Sequence, residues 1–198
     1  MAAKLKVLTP EFCLSFNDLF VAKVNSMDDD EGASKKPRFG IEMLFPKSIP
    51  MSELSEMRKV YDSEVKPSWA TDGLDYRKFN QAFINGDKKK QESRKGHWIL
   101  RAHSGEEYPP RVLLPSREIA VPRDVYSGCF GRAILTAFPW EFKNKKGAIV
   151  KAGVSFNLLT FWKTRDGKRL GGFVSEAEQD ALLDTVQLPM EEGEDLLA

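Results

Sequence analysis

Two long alternating runs dominate the hydrophobic pattern of this chain. Residues 128–142 and 148–162 are strand-like and flank the polar, basic stretch Asn144-Lys145-Lys146-Gly147, a spacing that predicts a β-hairpin. In the first run Phe130, Arg132, Ile134, Thr136, Phe138, Trp140 and Phe142 alternate with the mostly small Cys129, Gly131, Ala133, Leu135 and Ala137. In the second, Val150, Ala152, Val154, Phe156 and Leu158 alternate with Lys151, Gly153, Ser155 and Asn157. Successive strand residues point to opposite faces. With the small side of one run and the apolar side of the other turned to a core, the outward face carries aromatic rings beside arginine and lysine.

The rest of the pattern builds around that hairpin. Residues 4–9, 12–16 and 20–25 read as short strands near Pro10, with Phe12, Leu14 and Phe16 on one side; residues 26–37 form a polar loop. In residues 38–45, Phe39, Ile41, Met43 and Phe45 are expected inside, with Arg38, Gly40 and Glu42 in water. Leu54, Met57, Tyr61 and Val65 recur at helical steps, so a helix is expected over 51–66, capped by Ser48 or Ser52 and stopped before Pro67. Residues 68–82 have no regular pattern, but Trp69, Tyr76, Phe79 and Phe83 suggest a packed excursion. A further strand is expected over 97–103, then a proline-punctuated connection over 109–121. Basic turns fall at 87–96 and 164–169, and 175–186 reads as a short acidic helix before a disordered end. Strands, a helix, a strand, a long loop and a hairpin make a mainly β protein. The expected fold is an OB-fold, a Greek-key β-barrel, with one capping helix, an extended C-terminal β-hairpin and an acidic C-terminal tail. A β-sandwich with one helix is the competing arrangement. Residues 1–174 are assigned to the barrel domain and 175–198 to the tail.

Composition narrows the class. The 198 residues are 41% hydrophobic and 30% charged, as in an ordinary globular domain. There is no apolar run of membrane-spanning length and no signal-peptide pattern, so a cytoplasmic protein without membrane partners is expected. Cys13 and Cys129 are read as buried free thiols. Charge changes the picture most. The net charge of +1 hides eight acids and no lysine or arginine after residue 174, which leaves residues 1–174 with 21 acids against 30 bases, a balance of +9. A basic body with an acidic tail points to a polyanionic ligand with which the tail competes.

Rings interleaved with cations on a sheet are the equipment of a single-strand binder, because rings stack on bases and cations follow phosphates. The strand-borne cations are Arg101, Arg132, Lys151 and Lys163, and the stacking rings are Phe130, Phe138 and Trp140. The loops 88–95, 143–146 and 165–169 add phosphate contacts, with Lys88, Lys89, Lys90, Arg111 and Lys145 singled out among the loops and connections. Trp98 and Trp162 are assigned to the core. No enzyme is expected. His97 and His103 lack a third ligand at metal spacing and no nucleophile pairs with them, while the acids outside the tail are scattered or lie in loops such as Asp28-Asp29-Asp30. No cofactor or metal is called for. Phosphate contacts serve duplexes as well, so double-stranded DNA stays open as a second ligand. A duplex- or RNA-binding architectural protein and a structural virion β-protein are the alternatives.

Several ordered blocks resemble a known family. They include Leu14-Ser15-Phe16, Leu44-Phe45-Pro46-Lys47-Ser48, Asn85-Gly86-Asp87, Gly96-His97-Trp98-Ile99-Leu100-Arg101-Ala102 and Gly153-Val154-Ser155-Phe156-Asn157-Leu158. The most specific pair is Tyr126-Ser127-Gly128-Cys129-Phe130 with Arg165-Asp166-Gly167-Lys168-Arg169-Leu170-Gly171-Gly172. Together the blocks resemble the tailed-phage single-stranded-DNA-binding proteins with an OB-fold, long known only as a domain of unknown function. The resemblance implies a non-sequence-specific protein that coats strands exposed in phage replication, recombination and repair, in the host cytoplasm. It puts Phe130 and Arg132 on the DNA side. It also implies that acids near the end, here Glu191, Glu192, Glu194 and Asp195, contact phage replication proteins or cover the DNA groove. The chain departs from the pattern by ending in Leu-Leu-Ala without a terminal aromatic, and residues 68–82 match no block.

Overall fold

Short bridging stretches and long alternating strands fold into a sheet that closes on itself. In a computed structural model, residues 4–24, 36–71, 83–171 and 176–185 are described. The strands are β1 (Val7–Leu8), β2 (Phe12–Lys23) and β3 (Arg38–Pro46), followed by helices α1 (Met51–Asp62) and α2 (Pro67–Thr71). Next come β4 (Ile84–Asn85), β5 (His97–Gly105), β6 (Arg111–Leu113), β7 (Phe130–Lys143), β8 (Ile149–Arg165) and helix α3 (Glu176–Leu183).

Pairing runs β2–β3–β5–β8–β7 and back to β2, with every contact antiparallel except β5 with β8. That circuit is the five-stranded Greek-key barrel of an OB-fold. It closes through narrow seams: β5 meets β8 only at Ala102–Phe156 and His103–Asn157, and β2 meets β7 only at Phe12–Gly131 and Cys13–Phe130. Below the first seam β6 takes over from β5 along β8, and β1 lines the other side of the hairpin at Leu135 and Ile134. The core is filled by Phe12, Leu14, Ile41, Met43, Phe45, Leu100, Ala133, Leu135, Val154, Phe156 and Phe161, all buried.

The helix closes one end as its stripe predicts, burying Leu54, Met57, Val60 and Tyr61, with the Tyr61 ring 5.9 Å from that of Phe156. Its start differs from expectation: Pro50 is the N-cap, with no side-chain cap from Ser48 or Ser52. It also ends at Asp62, short of 66. Turns at Ser63, Glu64 and Val65 carry the chain to Pro67, which opens α2 at the position where a missing N–H costs nothing. That short helix drives Trp69 fully into the core. The polar loop after β2, Tyr76, Phe79, and everything from 186 onward lie outside the described residues.

Three irregularities decide which side chains face out. Between Leu14 and Phe16 the β2–β3 register slips, so Phe16 turns away from the core and is 51% exposed. Between Ile134 and Leu135 the β7–β8 register slips at Leu159, so Phe161 enters the core and Trp162 turns outward. On β3, Glu42 is buried rather than wet, 2% exposed beneath two arginines. Among the described residues no helix is long and apolar enough to cross a membrane.

Candidate nucleic-acid interface

The outer face of the barrel is built row by row from the register. In one row Phe16 on β2 stands opposite Glu42 on β3, which stands opposite Arg101 on β5. In the next, Gly40 faces His103, and His103 faces Asn157 on β8, which faces Thr136 on β7. The His103 ring meets the ring of Phe138 edge-on at 6.1 Å, which joins this face to the hairpin.

Glu42 organises the cations. Its carboxylate accepts from Arg94 at 2.7 and 3.0 Å and from the Nε of Arg101 at 2.9 Å. A guanidinium has five N–H donors in a rigid fork. Arg101 spends one on Glu42 while its side chain stays 54% exposed, which leaves charge and donors toward solvent. Arg94 anchors the segment 86–96 against the same face, and Lys88, Lys89 and Lys90 ride on it with no carboxylate within 4 Å among the described residues. The acids there are already used. Asp87 accepts from Lys47 and from the Gly96 N–H, which hold its carboxyl below the usual range, and Glu92 pairs with Lys95.

Beyond the barrel the hairpin continues as an arm. Phe138, Trp140 and Phe142 on β7 stand opposite Ser155, Gly153 and Lys151 on β8, so three rings alternate along one side with small or basic partners. Phe138 and Trp140 are half-buried and Phe142 is 38% exposed. Pairing continues through Pro139, opposite Val154, so the proline does not break the alternation. The acid of the arm, Glu141, points to the helical side, where Lys66 and the Trp69 indole both donate to it and lower its pKa. At the tip Asn144 accepts from Lys146 and Ala148 backbone N–H groups, Gly147 takes φ +80°, and Lys145 is exposed.

The root of the hairpin bears on two expectations. Lys163 was expected on the outer face, but the slip at Leu159 turns it in. It is 8% exposed, its ammonium donates to the Asp124 carbonyl at 2.7 Å and pairs with Asp166 at 2.7 Å. Phe130 was expected as a stacking ring, but the Arg165 guanidinium lies 3.4 Å from its centroid, held there by Glu11. Burial works against the Glu11 carboxylate, yet Thr164 and Arg165 hold its pKa below the ordinary value. Gly167 also lies against the Phe130 ring, so closely that a Cβ would sit 2.7 Å away. The two most specific sequence blocks therefore meet each other. The Tyr126 hydroxyl donates to Asp166 at 2.8 Å, Leu170 N–H donates to the Ser127 carbonyl, and a Cβ on Gly128 would lie 2.0 Å from the Lys168 carbonyl. They form a clamp.

Arg132 and Arg111 come together elsewhere. With Arg117 and Trp162 they rim a groove of about 280 Å³ floored by Leu113 and Ile134, on the outer side of the lower hairpin between β1 and β6. Trp162, expected in the core, is thus a groove residue. Trp98 is also only half-buried, with the Lys47 ammonium 5.1 Å from its ring.

The candidate residues thus divide among three places. Arg101, Phe138, Trp140, Lys151 and Lys88–Lys90 share the barrel face and arm, with Lys145 at the arm's tip. Arg111 and Arg132 line the groove, while Phe130 and Lys163 belong to the clamp. Glu191, Glu192, Glu194 and Asp195 lie outside the described residues. Missed were Phe16 and Phe142 on the first surface, and Arg117 and Trp162 on the second. Phe142 was visible in the alternation of the first run; the others depend on bulges and a loop that no period reveals. Among the described residues no group of three His, Cys, Asp or Glu side chains is arranged to hold a metal.

Comparisons with known proteins bear on this geometry. Residues 5–192 match the family model described as the ssDNA-binding protein of Enterobacter phage Enc34. The solved single-stranded DNA-binding protein from bacteriophage Enc34 superposes with a TM-score of 0.59 at 21% identity, covering 89% of each chain. The same protein in complex with ssDNA gives 0.58 at 20% identity, covering 84% of this chain and 89% of the other. Gp2.5, a single-stranded DNA-binding protein encoded by bacteriophage T7, gives 0.52 at 11% identity, covering 88% and 99%. At these identities the likeness speaks for the fold. No curated protein matches the chain.

Proposed function

The chain belongs to the phage Enc34 ssDNA-binding family, and from that premise we propose that it binds single-stranded DNA without sequence preference. It coats strands exposed during phage replication, recombination and repair in the host cytoplasm. It does so as a binding protein rather than a catalyst. The observation that carries this reading is one continuous outer surface. Phe16, Phe138, Trp140 and Phe142 supply rings beside Arg101, Lys151 and the Lys88–Lys90 segment, across the barrel strands and arm that OB-folds use for oligonucleotides. A protein of the family is known in complex with ssDNA. Stacking needs splayed bases, which single strands offer and duplexes do not, so single strands are the preferred ligand. The eight acids after residue 174 compete for the same cations, and Glu191, Glu192, Glu194 and Asp195 also offer a charged handle to replication proteins.

Titration of tryptophan fluorescence with single strands and duplex over a range of salt tests the reading. Single strands are expected to bind more tightly, with log K falling by about 0.7 per phosphate neutralised for each unit of log salt. Absence of single-strand binding at low salt overturns it. Deleting residues 175–198 is expected to tighten binding at low salt, and an unchanged affinity overturns the competing role of the tail.

A further inference from the structure

The groove at the root of the hairpin has the makings of a second ligand site. Arg111 enters from β6 opposite Thr160, Arg132 from β7 opposite Trp162, and Arg117 from the loop after β6. Elsewhere arginines are matched with acids: Arg94 and Arg101 with Glu42, Arg165 with Glu11, Arg58 with Asp62. Around the groove, no carboxylate lies within 4 Å of these three side chains among the described residues; Glu11, paired to Arg165, is the acid that feels the charge of Arg132 from farther off. Three like charges converging on one concavity repel one another, and an anion relieves that repulsion. The floor between them is apolar, and Trp162 presents its ring there with the Arg117 guanidinium 5.5 Å away. The Trp162 indole N–H is itself buried without an acceptor among the described residues. Arg117 holds a left-handed backbone at φ 69°, the single non-glycine case among the described residues, in a turn closed by Leu114 and Glu118. Side chains rarely adopt that conformation, and it is a feature found disproportionately at ligand clamps.

We infer that this groove is a second anchoring point for the bound single strand. It takes one nucleotide, with the base against Trp162 and its phosphates among Arg111, Arg117 and Arg132. The inference rests on the proposed binding of single-stranded DNA and adds a path to it. Arg132 and Phe138 are six residues apart on β7, roughly 20 Å at strand rise. A short strand held on the arm does not reach the groove, whereas a long one wraps down the hairpin to it. The groove is too small for a duplex.

Strand length therefore separates the two surfaces. Oligomers from about 4 to about 16 nucleotides, the range of OB-fold site sizes, are titrated against the full chain and its Arg111→Ala/Arg132→Ala variant. Wild type is expected to gain affinity stepwise as length passes the reach of the arm. The double variant is expected to bind the shortest strand unchanged but the longest at least tenfold more weakly. Its salt slope on the longest strand is expected to be smaller by about 1.4, at about 0.7 for each of two phosphates. Arg117→Glu, a reversal on an exposed loop that leaves the barrel packing alone, is expected to act in the same direction. Equal affinity of wild type and both variants for the longest strand overturns the inference. So does a uniform loss at every length, which makes the groove part of the first surface, or capture of the acidic tail by the groove in place of DNA. Failure of wild type to bind any strand overturns the proposed function itself.

Discussion

The two ends of one hairpin carry the same kinds of residue and use them oppositely. On the arm, Phe138, Trp140 and Phe142 stand opposite Ser155, Gly153 and Lys151, and the nearby acid Glu141 is turned away to Lys66 and Trp69. At the root, the Phe130 ring lies under Arg165, and Lys163 is tied to Asp166 and the Asp124 carbonyl. An aromatic beside a cation is therefore no sign of a ligand surface by itself. At the root a guanidinium lies 3.4 Å over the Phe130 ring and Gly167 brings backbone onto it. The root spends its groups on itself, and the proposed ligand surface lies on the arm.

The largest effect that tests this contrast is on stability. Gly128→Ala forces a Cβ to within 2.0 Å of the Lys168 carbonyl at φ +109°. It is expected to destabilise the fold by about 3 kcal/mol in urea melts, and a loss of well under 1 kcal/mol contradicts the clamp. On the arm the effect moves to binding. Trp140→Ala is expected to weaken single-strand affinity by about 1–3 kcal/mol, roughly five- to 150-fold, with little change in melting. Phe130→Leu sharpens the comparison from the other side. Because its ring is already covered, affinity is expected to change by less than about twofold while stability falls, a large-to-small cost set by packing. An affinity loss matching that of Trp140→Ala would return Phe130 to the DNA surface.

The smallest effect is a pH dependence at the root. Lys163 and the Tyr126 hydroxyl hold the Asp166 carboxyl below its usual range. A carboxyl depressed by folding stabilises above its unfolded pKa, and that contribution is lost as pH falls through the folded value. The melting difference between wild type and Asp166→Asn is thus expected to be constant from neutral pH to about 5 and to shrink below about 4. A difference that instead shrinks between neutral pH and 5 contradicts the assignment.

Much of the fold was legible because periods carry it. The hairpin, the β3 strand and the helix stripe at Leu54, Met57 and Tyr61 all follow from two- and 3.6-residue repeats, and so does the small inward side of β7. The site was less legible because single extra residues reverse a strand's faces. The slip after Leu14 exposes Phe16, and the one at Leu159 exchanges Lys163 for Trp162. Neither has a glycine or proline to announce it. Glu42 looked like a solvent-facing acid in a clean alternation, and only the tertiary arrival of Arg94 explains its burial. The most distinctive sequence blocks mark the clamp, since close backbone approach restricts residue choice more tightly than an open stacking face does.

The central claim is that a single strand lies on the arm, and the four tryptophans provide a built-in map of it. Trp69 is fully buried on Glu141, Trp98 sits beside Lys47, Trp140 is on the arm and Trp162 is in the groove. In a ¹H–¹⁵N spectrum each gives an indole signal, assignable by single Trp→Phe variants. On addition of an oligomer of about 4 nucleotides, the lower end of OB-fold site sizes, the Trp140 signal is expected to move most. Those of Trp69 and Trp98 are expected to stay. A bound short strand that leaves Trp140 in place contradicts the account.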